Sequence, residues 1–128
     1  MAVGSRSRGG TREDLGFYVR SAWEANYARY LIWLQSHGQI LKWEYEPTTF
    51  EFEAIKRGTR SYLPDFAIWE SDTEDPTYYV EVKGWMDAKS KTKLKRMAKY
   101  NPDIVIRIVG AKEYKALAKW KSMIPNWE

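Results

Sequence analysis

The spacing of hydrophobic positions predicts helices in some stretches of this chain and strands in others. Apolar residues at 23, 27, 30, 31 and 34 recur at helical intervals, so we expect a helix that begins near Ser21 and ends at His37-Gly38. The stretch 40–46 alternates and stops at Pro47, which predicts a strand. The stretch 49–54 alternates phenylalanine with glutamate and predicts a second strand.

The rest of the chain adds a hairpin, two helices and a further strand. A polar loop at 71–76 separates the stretches 65–69 and 78–83, as in two strands joined by a hairpin-like turn. The basic stretch 87–100 predicts a helix with Leu94 and Met97 on its inner side. The segment 103–109 is the most apolar and is expected to be a central strand. A last helix is expected at 111–121.

This order of elements predicts the fold class and the domain organisation. Helix, strands, helix, strand and helix imply an α/β fold, with a small mixed sheet flanked by helices. Residues 1–12 are rich in glycine, serine and arginine and lack apolar periodicity, so we expect a flexible basic arm followed by one domain at 13–128. After the last helix, Ile124 and Trp127 lie in a tail that can pack or mediate contacts.

Composition narrows the compartment and the possible chemistry. The chain has no cysteine and one histidine, His37, so a zinc site built from histidine and cysteine is not expected. The absence of cysteine also suits a reducing, cytoplasmic location. No apolar run has the length of a membrane span and no signal-peptide pattern occurs, so no membrane association is expected.

Positive charge is concentrated in two segments. The net charge of +4 conceals an arm at 1–12 with three arginines and no acid, and a segment at 85–100 with six basic residues and one acid. Such concentrated positive charge favours a polyanionic partner, with a solvated helix face and a disordered arm as the alternative.

The residues that point to chemistry are Asp65, Glu81 and Lys83. Glu81 and Lys83 are two apart on a predicted strand and therefore share one face. Pairing of 65–69 with 78–83 places Asp65 across from them, so that two carboxylates and one ammonium converge. Carboxylate oxygens bind Mg²⁺ together with water and substrate phosphate. The lysine can position or deprotonate water, or stabilise charge on the reacting phosphate.

Each of these motifs also has an ordinary structural explanation. A Glu-x-Lys pair on an exposed strand face arises from alternation alone, and an aspartate after proline is often a turn residue. The conjunction is more informative, because it requires Pro64-Asp65 to open one strand, Glu81-x-Lys83-Gly84 to close its partner, and a basic helix to follow.

These residues resemble the PD-(D/E)xK motif of restriction enzymes, repair nucleases and Holliday-junction resolvases. Within that superfamily the chain most resembles the phage endonuclease I group of junction resolvases. The similarity lies in Arg20-Ser21-Ala22-Trp23-Glu24, in Glu81-Val82-Lys83-Gly84-Trp85, in the strand 103–109 and in Ile124-Pro125-Asn126-Trp127. It runs from about residue 20 to the C terminus, and the region 36–62 and the arm carry no matching motif.

The resemblance implies a restriction-endonuclease-like core and a DNA endonuclease that uses Mg²⁺ or Mn²⁺. Asp65, Glu81 and a helix-borne Glu24 would hold the metal, and Lys83 would assist hydrolysis. Glu24 has an alternative role, because Ser21-x-x-Glu24 is also a capping box. In Glu24→Gln, we expect folding to persist and cleavage to be lost if the metal role is right.

The resemblance also implies the partners, a four-way DNA junction and a second copy of the chain. Resolvases of this group are homodimers that present two sites to the junction, in the host cytoplasm when the source is a phage. In the phage group the dimer exchanges segments, which would place Glu24 of one chain with Asp65 of the other, and 38–62 could be the bridge.

We expect DNA contacts from residues around the predicted site and on the basic helix. Lys91, Lys95 and Lys99 share one stripe of that helix, and a second stripe holds three more cations. Contact with phosphates would make binding dependent on salt. The full set of expected DNA contacts is Arg20, Trp85, Lys89, Lys91, Lys93, Lys95, Arg96 and Lys99.

Other functions remain open from the sequence. The motif is equally compatible with a nuclease for another DNA structure or a specific sequence. A non-catalytic DNA-binding protein on the same fold is a further alternative. A glycosidase that uses paired carboxylates would leave Lys83 and both basic segments without a role.

Overall fold

A computed structural model of the protein describes residues 9–128. Most of the predicted arm therefore lies outside the described residues. Its expected boundary at residue 12 is wrong, because Gly10–Arg12 already forms a strand, β1, which pairs antiparallel with β2 (Phe17–Val19). The side chain of Arg12 bonds to the carboxylate of Glu128, so the end of the predicted arm is attached to the domain.

The first helix, α1 (Ala22–Ser36), confirms the predicted amphipathic segment. It begins after Ser21, whose hydroxyl accepts a hydrogen bond from the Glu24 amide and so satisfies one free N–H at the helix start. It ends at His37, and the next residue, Gly38, has φ of 72°, a left-handed conformation that glycine adopts without a steric penalty.

The central sheet has four strands, and the predicted hairpin forms its middle. The strands are β3 (Lys42–Tyr45), β6 (Phe66–Trp69), β7 (Tyr78–Val82) and β8 (Ile106–Val109), in the spatial order β3-β6-β7-β8. β6 pairs antiparallel with β3 and β7, whereas β7 and β8 are parallel. The sheet is therefore mixed, as predicted.

The expectation that the most apolar strand is central is wrong. Among the described residues β8 pairs with β7 alone, so it is an edge strand, and Val105 just before it is half exposed. Its apolar residues are explained by packing, because Ile104 and Ile106 lie against buried side chains beneath the second helix. The apolar residues of this strand show that one of its faces is packed. They do not show whether it has a neighbouring strand on each side.

The two faces of the sheet are covered by different elements. Phe66, Ile68 and Val80 pack with α1 on one face, while Ala67 and Tyr79 lie on the other, as the alternation of a strand requires. The second face is covered by a small hairpin, β4 (Phe50–Glu51) with β5 (Ser61–Tyr62), and by the second helix, α2 (Ala88–Tyr100).

The helix α2 confirms the predicted basic helix. Asp87 caps its start by accepting a hydrogen bond from the Ser90 amide at 2.7 Å, and Asn101 before Pro102 ends it. Met97 is buried and Leu94 packs beside it against Phe52, so the inner side is the predicted one.

The C-terminal part packs on the same face as α1. Helix α3 (Ala111–Ala118) is shorter than expected and is followed by a 3₁₀ turn, Lys121–Met123. Leu117 enters the main core, and the predicted tail packs as well, since Ile124 is buried and the Trp127 ring lies 5.7 Å from that of Tyr114. Within the described chain, no helix combines the length and the apolar character that a membrane-spanning segment needs.

Candidate active site at the β6–β7 hairpin

The hairpin brings Asp65 beside the residues of β7. Asp65 directly precedes β6, and the pairing of Phe66 with Val80 continues towards Asp65 and Glu81. One oxygen of Asp65, Oδ2, accepts a hydrogen bond from the Val82 amide at 2.7 Å. Asp65 therefore bonds to the backbone of β7 between Glu81, which lies in the strand, and Lys83, which directly follows it.

Asp65 lies in an environment that disfavours its charge. The residue is 1% exposed. Burial raises the pKa of Asp65 well above its ordinary value, and the nearby carboxylates of Glu81 and Glu24 raise it further, against opposing effects of the Val82 amide and Arg20. A buried carboxylate surrounded by others needs added positive charge to stay ionised.

Glu81 lies on the face of β7 that meets the β4–β5 hairpin. Its Oε1 accepts a hydrogen bond from the Tyr62 hydroxyl at 2.9 Å. Burial raises the pKa of Glu81, while the bond from Tyr62 and the charge of Lys83 lower it. Tyr62 thus orients Glu81 and favours its ionised form.

Lys83 follows the last residue of β7 and lies between two cavities. Its amide bonds to the Val109 carbonyl at 3.0 Å, which fixes the backbone there. The next residue, Gly84, passes close to Trp23, since a β-carbon at Gly84 would lie 3.2 Å from the indole ring. A larger residue at Gly84 would press against the Trp23 ring, which would have to shift by a few tenths of an ångström.

Glu24 reaches the same site from the first turn of α1. It is 5% exposed, and its Oε1 accepts a hydrogen bond from the Tyr45 hydroxyl at 2.6 Å. The Ser21 half of the capping box forms, but the Glu24 carboxylate turns to Tyr45 and, at 3.5 Å, to the Arg20 amide. The bonds of this carboxylate therefore connect it to the site more closely than to the helix cap.

Arg20 lies among the carboxylates. Its Nη2 is 2.7 Å from Oδ1 of Asp65, its Nε is 3.5 Å from Oε2 of Glu24, and its Nη1 bonds to Glu46. Although burial lowers the pKa of Arg20, the carboxylates of Glu24 and Asp65 raise it above its ordinary value. The predicted phosphate-contacting arginine is thus engaged with acids, and half of its side chain remains exposed.

The position between these carboxylates is therefore already held by a cation. Across the described residues, no three acidic or histidine side chains are arranged as a metal site. The donor chemistry nevertheless fits a hard divalent ion, because Glu24 and Asp65 both approach the Arg20 guanidinium and Glu81 is the next acid along the hairpin. Arg20 would have to move for such an ion to bind there.

Two cavities flank Arg20 and Lys83, which contribute to both. The first, of about 350 Å³, also contains Glu81, Tyr62 and Lys93. The second, of about 360 Å³, contains Glu24 and Trp85, and Trp85 is 72% exposed. Of the four predicted catalytic residues, Glu24, Glu81 and Lys83 thus line these two cavities, whereas Asp65 lines neither and is buried behind Arg20.

One chain is sufficient to bring these residues together. Glu24 and Asp65 bind the same guanidinium within a single copy of the protein. The exchange of segments implied by the resemblance is therefore not needed to bring Glu24 to the hairpin.

The predicted basic contacts on α2 divide into three sets. Lys93 lines the cavity of Glu81, and Lys89 lines a neighbouring one. The stripe of Lys91, Lys95 and Lys99 is exposed. Arg96 donates to the Thr59 carbonyl, so it holds a loop.

Three site residues had no assigned role in the sequence prediction, or only a weak one. Tyr45 ends β3 and Glu46 directly follows it, and the Glu46 amide bonds to the Asp65 carbonyl at 2.8 Å. Tyr62 ends β5, and its hydroxyl donates to Glu81. The available signal was the alternation of 40–46, which would have identified Glu46 once that strand had been paired with β6.

The chain was compared with known protein families, curated proteins and solved structures, and none of them matches it.

Proposed function

We propose that this protein is a metal-dependent endonuclease that hydrolyses phosphodiester bonds in DNA, with the four-way junction as its substrate. The observation that carries the proposal is the meeting of Glu24, Asp65, Glu81 and Lys83 at one end of a mixed sheet, beside a basic helix. In this proposal the sheet and its helices form a restriction-endonuclease-like core of the PD-(D/E)xK kind.

The three acids of the site would hold Mg²⁺ or Mn²⁺, and the Arg20 side chain would move away from them. Asp65, Glu81 and Glu24 supply the oxygen ligands, with Tyr62 and Tyr45 fixing the orientation of the two glutamates. A divalent ion in such a site withdraws charge from the scissile phosphate and acidifies water.

Lys83 supplies the positive charge that the protein itself brings to the reaction. Its position between the two cavities allows an ammonium to meet a phosphate that approaches Glu81 or Glu24. There Lys83 stabilises negative charge on the phosphate as hydrolysis proceeds, or holds the attacking water. On release from the acids, the half-exposed Arg20 can bind a phosphate oxygen as the sequence predicted.

Cleavage of a labelled junction tests the activity. We expect wild-type protein to nick the junction with Mg²⁺ and not with EDTA, and Asp65→Asn and Lys83→Gln to lose about 10²–10⁴-fold in rate. Glu70→Gln is the matched control, since Glu70 is an exposed acid next to the same hairpin. Binding without any cleavage by the wild type would instead indicate a non-catalytic DNA-binding protein.

Substrate and assembly need a separate measurement. Because a four-way junction presents two equivalent strands, we propose a homodimer with one site for each. Light scattering with and without junction gives the assembly, and the rates on a junction and on linear duplex of the same arms give the preference. Equal rates would remove the junction assignment and leave a nuclease for other DNA.

A further inference from the structure

A third cavity lies beside the proposed active site, between the loop at 56–60 and the start of α2. We call it the loop cavity; its volume is about 260 Å³. Its lining is Gly58, Thr59, Arg60, Ser61, Lys89 and Lys93. Three of these side chains are cationic, two carry hydroxyl groups, and no carboxylate lies in the lining.

The loop cavity is held in shape from both sides. Arg96 of α2 donates to the Thr59 carbonyl, and the Phe52 amide bonds to the Arg60 carbonyl at 2.6 Å. Beneath the loop, Phe52 packs in one buried cluster with Met97 of α2. The backbone of the loop that carries Arg60 is thus fixed before any ligand arrives, which lowers the entropic cost of binding.

The loop cavity adjoins the cavity of Glu81. Lys93 lines both of them, and Ser61 is followed by Tyr62, which bonds to Glu81. A nucleic-acid strand whose scissile phosphate lies at Glu81 would therefore bring a neighbouring phosphate of the same strand towards Arg60 and Lys89.

We propose that the loop cavity is a subsite for one backbone phosphate of the cleaved DNA strand, bound by Arg60 and Lys89 and by the hydroxyl groups of Thr59 and Ser61. The proposal rests on the proposed nuclease function. It adds a second phosphate contact, which determines which phosphate of the DNA strand lies at Glu81. Phosphate contacts of this kind position a duplex without reading its sequence.

The salt dependence of binding tests whether the two cations share one phosphate. Binding of a fluorescent four-way junction is measured by anisotropy at several salt concentrations, with Ca²⁺ in place of Mg²⁺ to prevent cleavage. Each phosphate neutralised contributes about 0.9 to the slope of log affinity against log salt. We expect Arg60→Gln together with Lys89→Gln to lower the slope by about 0.9 and not by about 1.8, because they act on one phosphate. Lys115→Gln, an exposed lysine of α3, is the matched control.

A chemical substitution in the DNA locates the subsite. A neutral methylphosphonate is placed at each position next to the cleavage site in turn. At one position it should weaken binding to the wild type and have no effect on the double variant.

The possible outcomes separate this inference from the proposed function. If the wild type binds with a clear salt slope and the double variant keeps that slope, the subsite is overturned and the nuclease proposal stands. A loss of about 1.8 overturns the single-phosphate subsite, and an equal loss in Lys115→Gln shows that general surface charge is responsible. A wild type that binds no DNA overturns both proposals.

Discussion

Replacing Arg20 by methionine tests whether its guanidinium stands in for a metal ion. The change removes the charge and keeps much of the aliphatic stem. Its contacts are with Asp65 at 2.7 Å, Glu24 at 3.5 Å and Glu46. The side chains of Asp65 and Glu24 are 2% and 7% exposed, so the variant leaves buried carboxylates without their cation.

The size of the effect follows from these contacts. A hydrogen bond to a charged group contributes about 1.5–3 kcal/mol, and water screens a guanidinium whose side chain is 53% exposed, so we expect a loss of about 2 kcal/mol in the free energy of unfolding. For a domain of this size that corresponds to a fall in Tm of about 6–10 °C. In the variant a divalent cation no longer has to displace Arg20 from the acids. Its binding free energy should therefore improve by up to about 2 kcal/mol, which is up to about thirtyfold in affinity.

Two measurements check this prediction without any cleavage. Thermal unfolding is followed in EDTA and in excess MgCl₂, and calorimetry gives the affinity for Ca²⁺. A cation at 100 times its Kd adds about 2.7 kcal/mol to stability, so MgCl₂ should raise the Tm of Arg20→Met more than that of the wild type. The control is Arg57→Met, at an exposed arginine. An Arg20→Met protein with the wild-type Tm in EDTA, or with the same response to MgCl₂, would refute the reasoning.

Two further changes address the site and the fold. In Tyr62→Phe, Glu81 loses a hydrogen bond that lowers its pKa, so we expect the acidic limb of the pH–rate profile to move to higher pH; an unmoved limb would count against Glu81 as the titrating group. In Arg29→Met, Asp14 and Glu128 lose a largely buried partner at 2.9 and 2.8 Å, and we expect urea unfolding to show a loss of about 2–3 kcal/mol. Hydrogen bonds from arginine lower the pKa of both acids below ordinary values of 3.8 and 4.5, so their contribution is present above those values and lost as pH falls further. The gap between wild type and variant should therefore narrow in acid, and a gap that widened would exclude this origin.

The sequence was sufficient to predict the hairpin and three of the groups it carries. Alternation with a period of two assigns Glu81 and Lys83 to one face of a strand, and the polar loop at 71–76 leaves few choices for its partner. Asp65 then follows from the register. These are local relations, so they survive without knowledge of the rest of the fold.

Relations across longer stretches of chain were not predictable in the same way. The contact between Glu46 and Asp65 depends on the pairing of β3 with β6, and the β4–β5 hairpin lies between them in sequence. The loop at 56–60 has no apolar period of its own, and its position follows from the bond between Arg96 and Thr59 and from the burial of Phe52. Side-chain periodicity indicates which face of an element is buried. It does not indicate which distant strand or loop the element contacts.

The placement of Arg20 links the fold to the proposed chemistry. It lies immediately before the cap of α1, where the partial positive charge of the helix N terminus disfavours a cation. Glu24, Glu46 and Asp65 offset that cost, and the guanidinium in turn opposes the burial and repulsion that raise the pKa of Asp65. Arg20 and the three acids therefore stabilise one another electrostatically. Removing the arginine destabilises the charged acids, and removing the acids destabilises the charged arginine. A divalent ion at the acids would release Arg20 towards solvent and a bound phosphate, so metal binding and DNA binding should strengthen each other through this one side chain.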